Sequence, residues 1–224
     1  MAKHGIKYGI VAMEKSGKTT LISKLEDALV VSTDNKAFKG KIPHFRYSHY
    51  EGLDHFINTV GAKLEAYEAK YGKLPGTLVI DSVTHLANNM EKYANDKFTG
   101  FTIFSNLGKD VMGLNAFLED AIIPEGINVI FTSHCQWDVD SNSFKIAAPG
   151  NFGKNGSWLS VTDEASFIEL KGNKRIIHHS TMKFPCRTLH ATEIPESQDL
   201  EEFDINKHIA MLSNSLEEAE EWTI

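Results

Sequence analysis

Eight residues near the start of the chain, Ala12-Met-Glu-Lys-Ser-Gly-Lys-Thr19, constrain its fold more than any other segment. They follow a short apolar run, Ile6–Ala12, that reads as a buried strand. Behind them Leu21, Leu25 and Leu29 recur at a spacing of four, which predicts a helix over Lys18–Leu29. Strand, loop ending in Gly-Lys-Thr, and helix in that order match the broad phosphate-loop pattern. The chemistry requires this arrangement. Backbone N–H groups wrap a β-phosphate, Gly17 permits close approach, and the helix N-terminus adds a favourable dipole. Lys18 then reaches toward the β- and γ-phosphates of ATP and the Thr19 hydroxyl toward Mg²⁺, with Glu14, Lys15, Ser16 and Thr20 completing the contact. Ala12 stands where the pattern usually has glycine, which is tolerated while its backbone keeps a negative φ.

Three more apolar runs, Ala28–Ser32, Leu78–Asp81 and Ile127–Ser133, read as core strands. Helical spacing over Tyr50–Tyr71 and Leu107–Ile123 separates them. This alternation predicts an α/β fold, a mostly parallel sheet with helices on both faces. Asp81 closes its strand, so it either holds Mg²⁺ through water, in the Walker B manner, or caps the following helix. Asp138–Thr162, rich in Asn, Ser and Gly, reads as a long loop. Ala165–Leu170 and Lys174–His179, joined by Lys171-Gly-Asn173, read as a C-terminal β-hairpin. A last helix is expected over Asp204–Ser215.

The 224 residues, 42% hydrophobic and 24% charged, are an ordinary globular composition. No apolar run is long enough to span a bilayer and the first residues lack a signal-peptide core. With two cysteines, Cys135 and Cys186, the expectation is a soluble cytoplasmic protein without a disulfide framework. The net charge of −7 is unevenly placed: ten acids against Lys207 lie in Ala191–Ile224, and the remaining residues carry +2. Residues 1–190 are therefore read as the core domain and 191–224 as an acidic C-terminal segment and tail. The core stays eligible for a polyanionic partner.

Taken together, the phosphate loop, Asp81-Ser82 ending one strand and Thr132-Ser-His134 ending the next resemble the RecA-type ATPase core. The resemblance covers roughly Ile6–Leu189, and it is closest to compact phage RecA-like proteins of the single-strand-annealing (Sak) class. It implies a RecA-like P-loop NTPase fold, ATP and Mg²⁺ as ligands, single-stranded DNA as partner, a ring or filament of identical subunits, and the host cytoplasm as location. RecA-type proteins carry a water-orienting glutamate just after the second strand. Here the stretch is Ser32-Thr-Asp-Asn, so Asp34 is either the shorter substitute or a turn residue. His134 sits where the resemblance places a γ-phosphate sensor; the alternative is a satisfied polar strand end.

In such proteins the loops after the sensor strand bind single-stranded DNA. The matching region holds Trp137, Phe144, Lys145, Phe152, Lys154 and Trp158, aromatics for stacking and lysines for phosphate. The bland reading is that Trp137 and Trp158 pin the loop to the body. Arg187 and Lys183 resemble trans-acting groups that reach a neighbouring subunit's γ-phosphate, with surface salt bridging as the alternative. The tail, with Trp222 and Ile224 among acids, either docks on a single-strand-binding or replication protein or is simply solvated. Two rival functions remain: a nucleotide-switched loader or binding module with little turnover, and a small-molecule phosphotransferase. Lid arginines are scarce for the latter, since the chain has only Arg46, Arg175 and Arg187.

Overall fold

The computed structural model describes residues 4–34, 37, 38, 40–140, 142–148, 152 and 157–217. Lys7–Ala12 forms β1, buried throughout, and Lys18–Ile22 forms α1. Then follow β2 (Ala28–Ser32), β3 (His44–Arg46), α2 (Leu53–Tyr71), β4 (Thr77–Asp81), α3 (Val83–Lys97), α4 (Phe101–Phe117) and β5 (Asn128–Asp138). The chain ends its described part with β6 (Ser143–Ile146), β7 (Glu164–Lys171), β8 (Lys174–His178), β9 (Ser197–Asp199) and α5 (Ile205–Glu217). The strand order is β3-β2-β4-β5-β1-β7-β8-β9, with β6 attached to β5. From β3 to β7 every pairing is parallel, and β7–β8–β9 is antiparallel. This is an α/β RecA-like core with a C-terminal hairpin.

Alternation along the strands builds two cores. Leu29, Val31, Leu78, Ile80, Val129 and Phe131 face α2, α3 and α4, whereas Ala28, Val30, Val79 and Ile130 face α1 and α5. In α2, Phe56, Val60, Leu64 and Tyr67 form the buried stripe. Gly72, at φ 75°, ends that helix by donating its N–H to the Glu68 carbonyl. Ser82 caps α3, its hydroxyl accepting from the His85 N–H. The cap role open to Asp81 therefore falls to its neighbour.

Several expectations change. The helix over Lys18–Leu29 closes after five residues, because the chain must turn at Ser23–Asp27 to enter β2. Its dipole is correspondingly short, so the loop backbone becomes the principal anion-binding element. The loop expected over Asp138–Thr162 carries regular structure among its described residues: β5 runs on to Asp138 and returns as β6, and Ser157–Val161 forms a 3₁₀ turn. The boundary at residue 190 falls inside the fold. Ile194, Leu200, Phe203, Ile205, Ile209 and Leu212 belong to the second core, and β9 is a strand of the main sheet. Among the described residues no helix is long and apolar enough to cross a membrane.

Candidate functional site

At the carboxyl ends of the parallel strands lies a cleft of about 310 Å³, lined by residues 14–20 with Asp34, Asp81, Ser82, His85, His134 and Arg175. Ala12 ends β1 without a positive φ, so alanine at the usual glycine position costs nothing. Beyond it Lys15 takes φ 62° and Gly17 φ 99°, a left-handed alternation in which successive N–H groups converge. Ser16 Oγ donates to the Met13 carbonyl at 2.7 Å. Lys18, only 7% exposed, donates through Nζ to the carbonyls of Ala12 and Met13, both at 3.0 Å.

β5 lies between β1 and β4, so Asp81 comes to the loop across one strand, not beside it. Its carboxylate bridges two elements. Thr19 Oγ1 of α1 donates to Oδ2 at 2.9 Å, and Thr132 Oγ1 of β5 to Oδ1 at 2.5 Å. Thr33 clasps the next residue, accepting the Ser82 N–H at 2.9 Å and donating to its carbonyl at 2.7 Å. The Asp81–Ser82 peptide is cis. His134 is level with Ala12 on β5, and its N–H donates to Thr84 Oγ1 at 2.9 Å. The His85 ring meets it edge-on at 5.2 Å.

Opposite this wall stands a residue that the sequence reading did not assign. Arg175 of β8 lies one residue past the start of the strand, and its Cδ and Nε come within 3.3 Å of where a Cβ on Gly17 would sit. A side chain at residue 17 would press on it by a few tenths of an ångström, and the φ of 99° there already favours glycine. Arg175 is exposed and forms no ion pair among the described residues. It also borders a second cavity of about 500 Å³, shared by Gly17, Thr20, Leu21, Lys24, Lys174, Asp199, Leu200 and Glu201. The hairpin was legible in the sequence. Its place beside the phosphate loop depends on β7 pairing with β1, which no local pattern reveals.

A family model described as an AAA domain (AAA_24) matches residues 4–183. The chain belongs to this AAA family. The match spans the loop, Asp81, His134 and Arg175, and identifies a P-loop ATPase domain that binds nucleotide with a divalent metal. No protein of the curated set matches the chain.

The donor set of the AAA domain suits Mg²⁺. That ion takes one or two carboxylates, keeps several waters and relies on substrate phosphates, and Asp81 with Thr19 offers such a partial shell. Among the described residues no three His, Cys, Asp or Glu side chains are grouped to hold a metal by themselves. Burial pushes the thiols of Cys135 and Cys186 up to about 11 and about 12, so neither supplies a thiolate near neutrality.

The residues expected to meet DNA separate into two groups. Trp158 is 1% exposed and packs 5.7 Å from Phe131. Phe152 meets Trp158 edge-on at 4.9 Å, and Phe144 is wedged against Phe167 and Phe184. Trp158 is corrected to a packing residue, because its ring is filled into the core, while Phe144 and Phe152 are half-buried against that core. Trp137, 47% exposed, and Lys145, paired with Asp138, remain at the surface. Lys154, Trp222 and Ile224 lie outside the described residues.

Asp34 reaches the cleft, but Arg187 does not line it. The Arg187 backbone bridges Ala165, which is level with Gly9, three residues back from the end of β1. Lys183 pairs with Glu169 at 3.4 Å and lies over the Phe184 ring at 4.8 Å, the geometry of the salt-bridge alternative.

Proposed function

We propose that this AAA domain is an Mg²⁺-dependent ATPase of the phage RecA-like, single-strand-annealing (Sak) type, which engages single-stranded DNA and promotes recombination or annealing. The observation that carries this reading is the convergence of Lys18, Thr19 and Asp81 on one cleft. Glu14, Lys15, Ser16, Gly17 and Thr20 frame the phosphates with backbone and hydroxyl donors. Lys18 swings from the two loop carbonyls to the β/γ-phosphates, exchanging neutral acceptors for charged ones. Thr19 and Asp81 hold Mg²⁺, which neutralises phosphate charge when bound. The cavity beyond Arg175 has room for the nucleoside.

For hydrolysis, Asp34 orients the attacking water and Arg175 steadies phosphate charge within the same chain. His134 links the cleft to the surface, because β5 carries it and, three residues later, the exposed Trp137. A change at the phosphate end of β5 is thereby transmitted along one strand to the β5–β6 hairpin. Arg187 acts only in an oligomer, on a neighbour's nucleotide.

One observation favours a second reading, a nucleotide-switched loader with little turnover. Both oxygens of Asp81 are engaged by threonines, which leaves Asp34, one methylene shorter than glutamate, as the carboxylate for water. ATP turnover by the purified protein, with and without single-stranded DNA at low and moderate salt, tests the proposal. Stimulation that fades with salt supports a DNA-coupled ATPase. Saturable nucleotide binding without turnover in any condition favours the loader, and turnover indifferent to DNA favours a phosphotransferase.

A further inference from the structure

The sixteen residues between Asp34 and Glu51 contain no acid and hold Lys36, Lys39, Lys41 and Arg46 together with His44 and His49. Phe38, Phe45, Tyr47 and Tyr50 are interleaved with them. Within this stretch β3 forms the edge of the sheet, bonded among the described residues on one side only, to β2. An edge strand normally carries charge to block further pairing, but a scatter of both signs would do that. Here one sign is concentrated.

The described residues show how the strip is laid out. Along β3, His44 and Arg46 are exposed and Phe45 between them is half-buried. The two-residue repeat sets His44 and Arg46 about 6.6 Å apart on one face. Phe45 turns to the other face, where Lys63 of α2 lies 5.9 Å over its ring. His44 meets the Phe38 ring at 4.9 Å. Lys41 precedes the strand and is exposed. Lys41, Arg46 and Lys63 form no ion pair among the described residues, a state they share with Lys92 and Lys97 of α3. What sets the edge apart is the absence of acids in the stretch and not the lack of pairing. Cations flank both faces of one extended edge, while the rings of the stretch turn inward.

We infer that this β3 edge is a binding track for a single-stranded nucleic acid backbone, distinct from the β5–β6 hairpin. Tyr47 and Tyr50 are buried and Phe38 and Phe45 half-buried, so the cations carry the recognition. A row of them along an extended strand fits a flexible polyanionic backbone better than a globular acidic partner. Arg46 is level with Ser32, and Ser32 with Asp81, so the track ends beside the nucleotide cleft. A strand bound there touches the segment that positions Asp34, which gives nucleic acid a route to the water-orienting carboxylate. The inference rests on the reading that this protein engages single strands and names where.

The test is fluorescence anisotropy of a labelled oligo(dT) with the full chain at several salt concentrations. Lys41→Glu/Arg46→Glu is compared with Lys92→Glu/Lys97→Glu, an equal charge change on exposed positions of α3. A thermal melt of each variant checks the fold. The track predicts at least about tenfold weaker binding for the first pair, near wild-type binding for the second, and a salt slope smaller by about 1.4 for two lost phosphate contacts. Equal weakening by both pairs would overturn it, reducing the effect to net charge. Wild-type affinity in Lys41→Glu/Arg46→Glu, with binding lost in Trp137→Ala, would also overturn it and assign the strand to the hairpin. If the wild-type chain binds no oligonucleotide at all, the single-strand reading itself fails and the track with it.

Discussion

Thr19 and Asp81, 62 positions apart in the chain, share a hydrogen bond of 2.9 Å at the floor of the phosphate cleft. The hydroxyl belongs to the first turn of α1 and the carboxylate to the last residue of β4, so sheet order alone brings them together. Replacing Asp81 with asparagine keeps the size and removes the charge that holds Mg²⁺. A metal supplies several kcal/mol of charge stabilisation, and each 1.4 kcal/mol is about tenfold in rate. Asp81→Asn should therefore lower Mg²⁺-dependent phosphate release by at least about 100-fold. Turnover within a few-fold of wild type would remove Asp81 from the metal site.

The two arginines should part in their effects. A charged hydrogen bond to phosphate contributes about 1.5–3 kcal/mol, so Arg175→Ala should raise the KM for ATP by about tenfold or more in dilute protein. Arg187→Ala should leave nucleotide affinity intact and reduce turnover only where subunits associate. Steady-state kinetics across a range of protein concentrations separates them. Unchanged KM in Arg175→Ala would mean that the guanidinium merely covers Gly17.

Trp158 and Trp137 offer a second pair. Removing a fully buried tryptophan costs about 3–5 kcal/mol, and Trp158→Ala should shift the urea midpoint accordingly. Trp137→Ala, at an exposed position, should stay within about 0.5 kcal/mol of wild type. Equal stability losses would show that the β5–β6 hairpin is pinned by both rings.

The phosphate loop, its flanking strands and the C-terminal hairpin were legible because each carries a local signature: a motif, an apolar run, a Gly-Asn turn. The helix α3 was equally legible in principle. Ser82 as cap, with Val83, Leu86, Met90 and Ala94 at helical spacing, marks it, although the polar residues between them mask the stripe. Composition misled over Asp138–Thr162, where Asn, Ser and Gly suggested a mobile loop while Trp158 was filling the core beside Phe131. Arg175 and the β3 edge depend on strand order, a long-range property without local sequence expression. The acidic count from residue 191 onward obscured apolar positions such as Ile205, Ile209 and Leu212 that tie α5 to the sheet.

Beneath α5 a polar chain makes stability depend on pH. Tyr8 donates to Ser166 Oγ at 2.8 Å, and the same oxygen meets His179 Nδ1 at 2.8 Å. The Gln198 amide at 3.1 Å donates to His179 Nε2, which assigns the proton to Nδ1 in the neutral ring. His208 lies 5.1 Å from both Tyr8 and His179, and its Nε2 has no partner among the described residues. Burial first, and the His178 charge second, lower His179 to about 4; burial, then His179 and His190, lower His208 to about 3. Both rings stay neutral when folded but protonate near 6.5 when unfolded. Their stabilisation is therefore present above pH 6.5 and lost as pH falls toward 4, at about 1.4 kcal/mol per pH unit for each ring. Urea midpoints should drop between pH 7 and pH 5, and His208→Phe should flatten that slope. A wild-type midpoint that is level across this range would contradict the buried-histidine account.

The central claim is that the loop at the end of β1 binds nucleotide phosphates through Lys18. Calorimetric titration of ATP–Mg²⁺ into the wild-type chain and into Lys18→Ala tests it most directly. Loss of a buried, charge-assisted phosphate contact predicts saturable binding in the first and at least about 100-fold weaker binding in the second, with both proteins melting at similar temperature. Equal affinity in the two proteins would contradict the account.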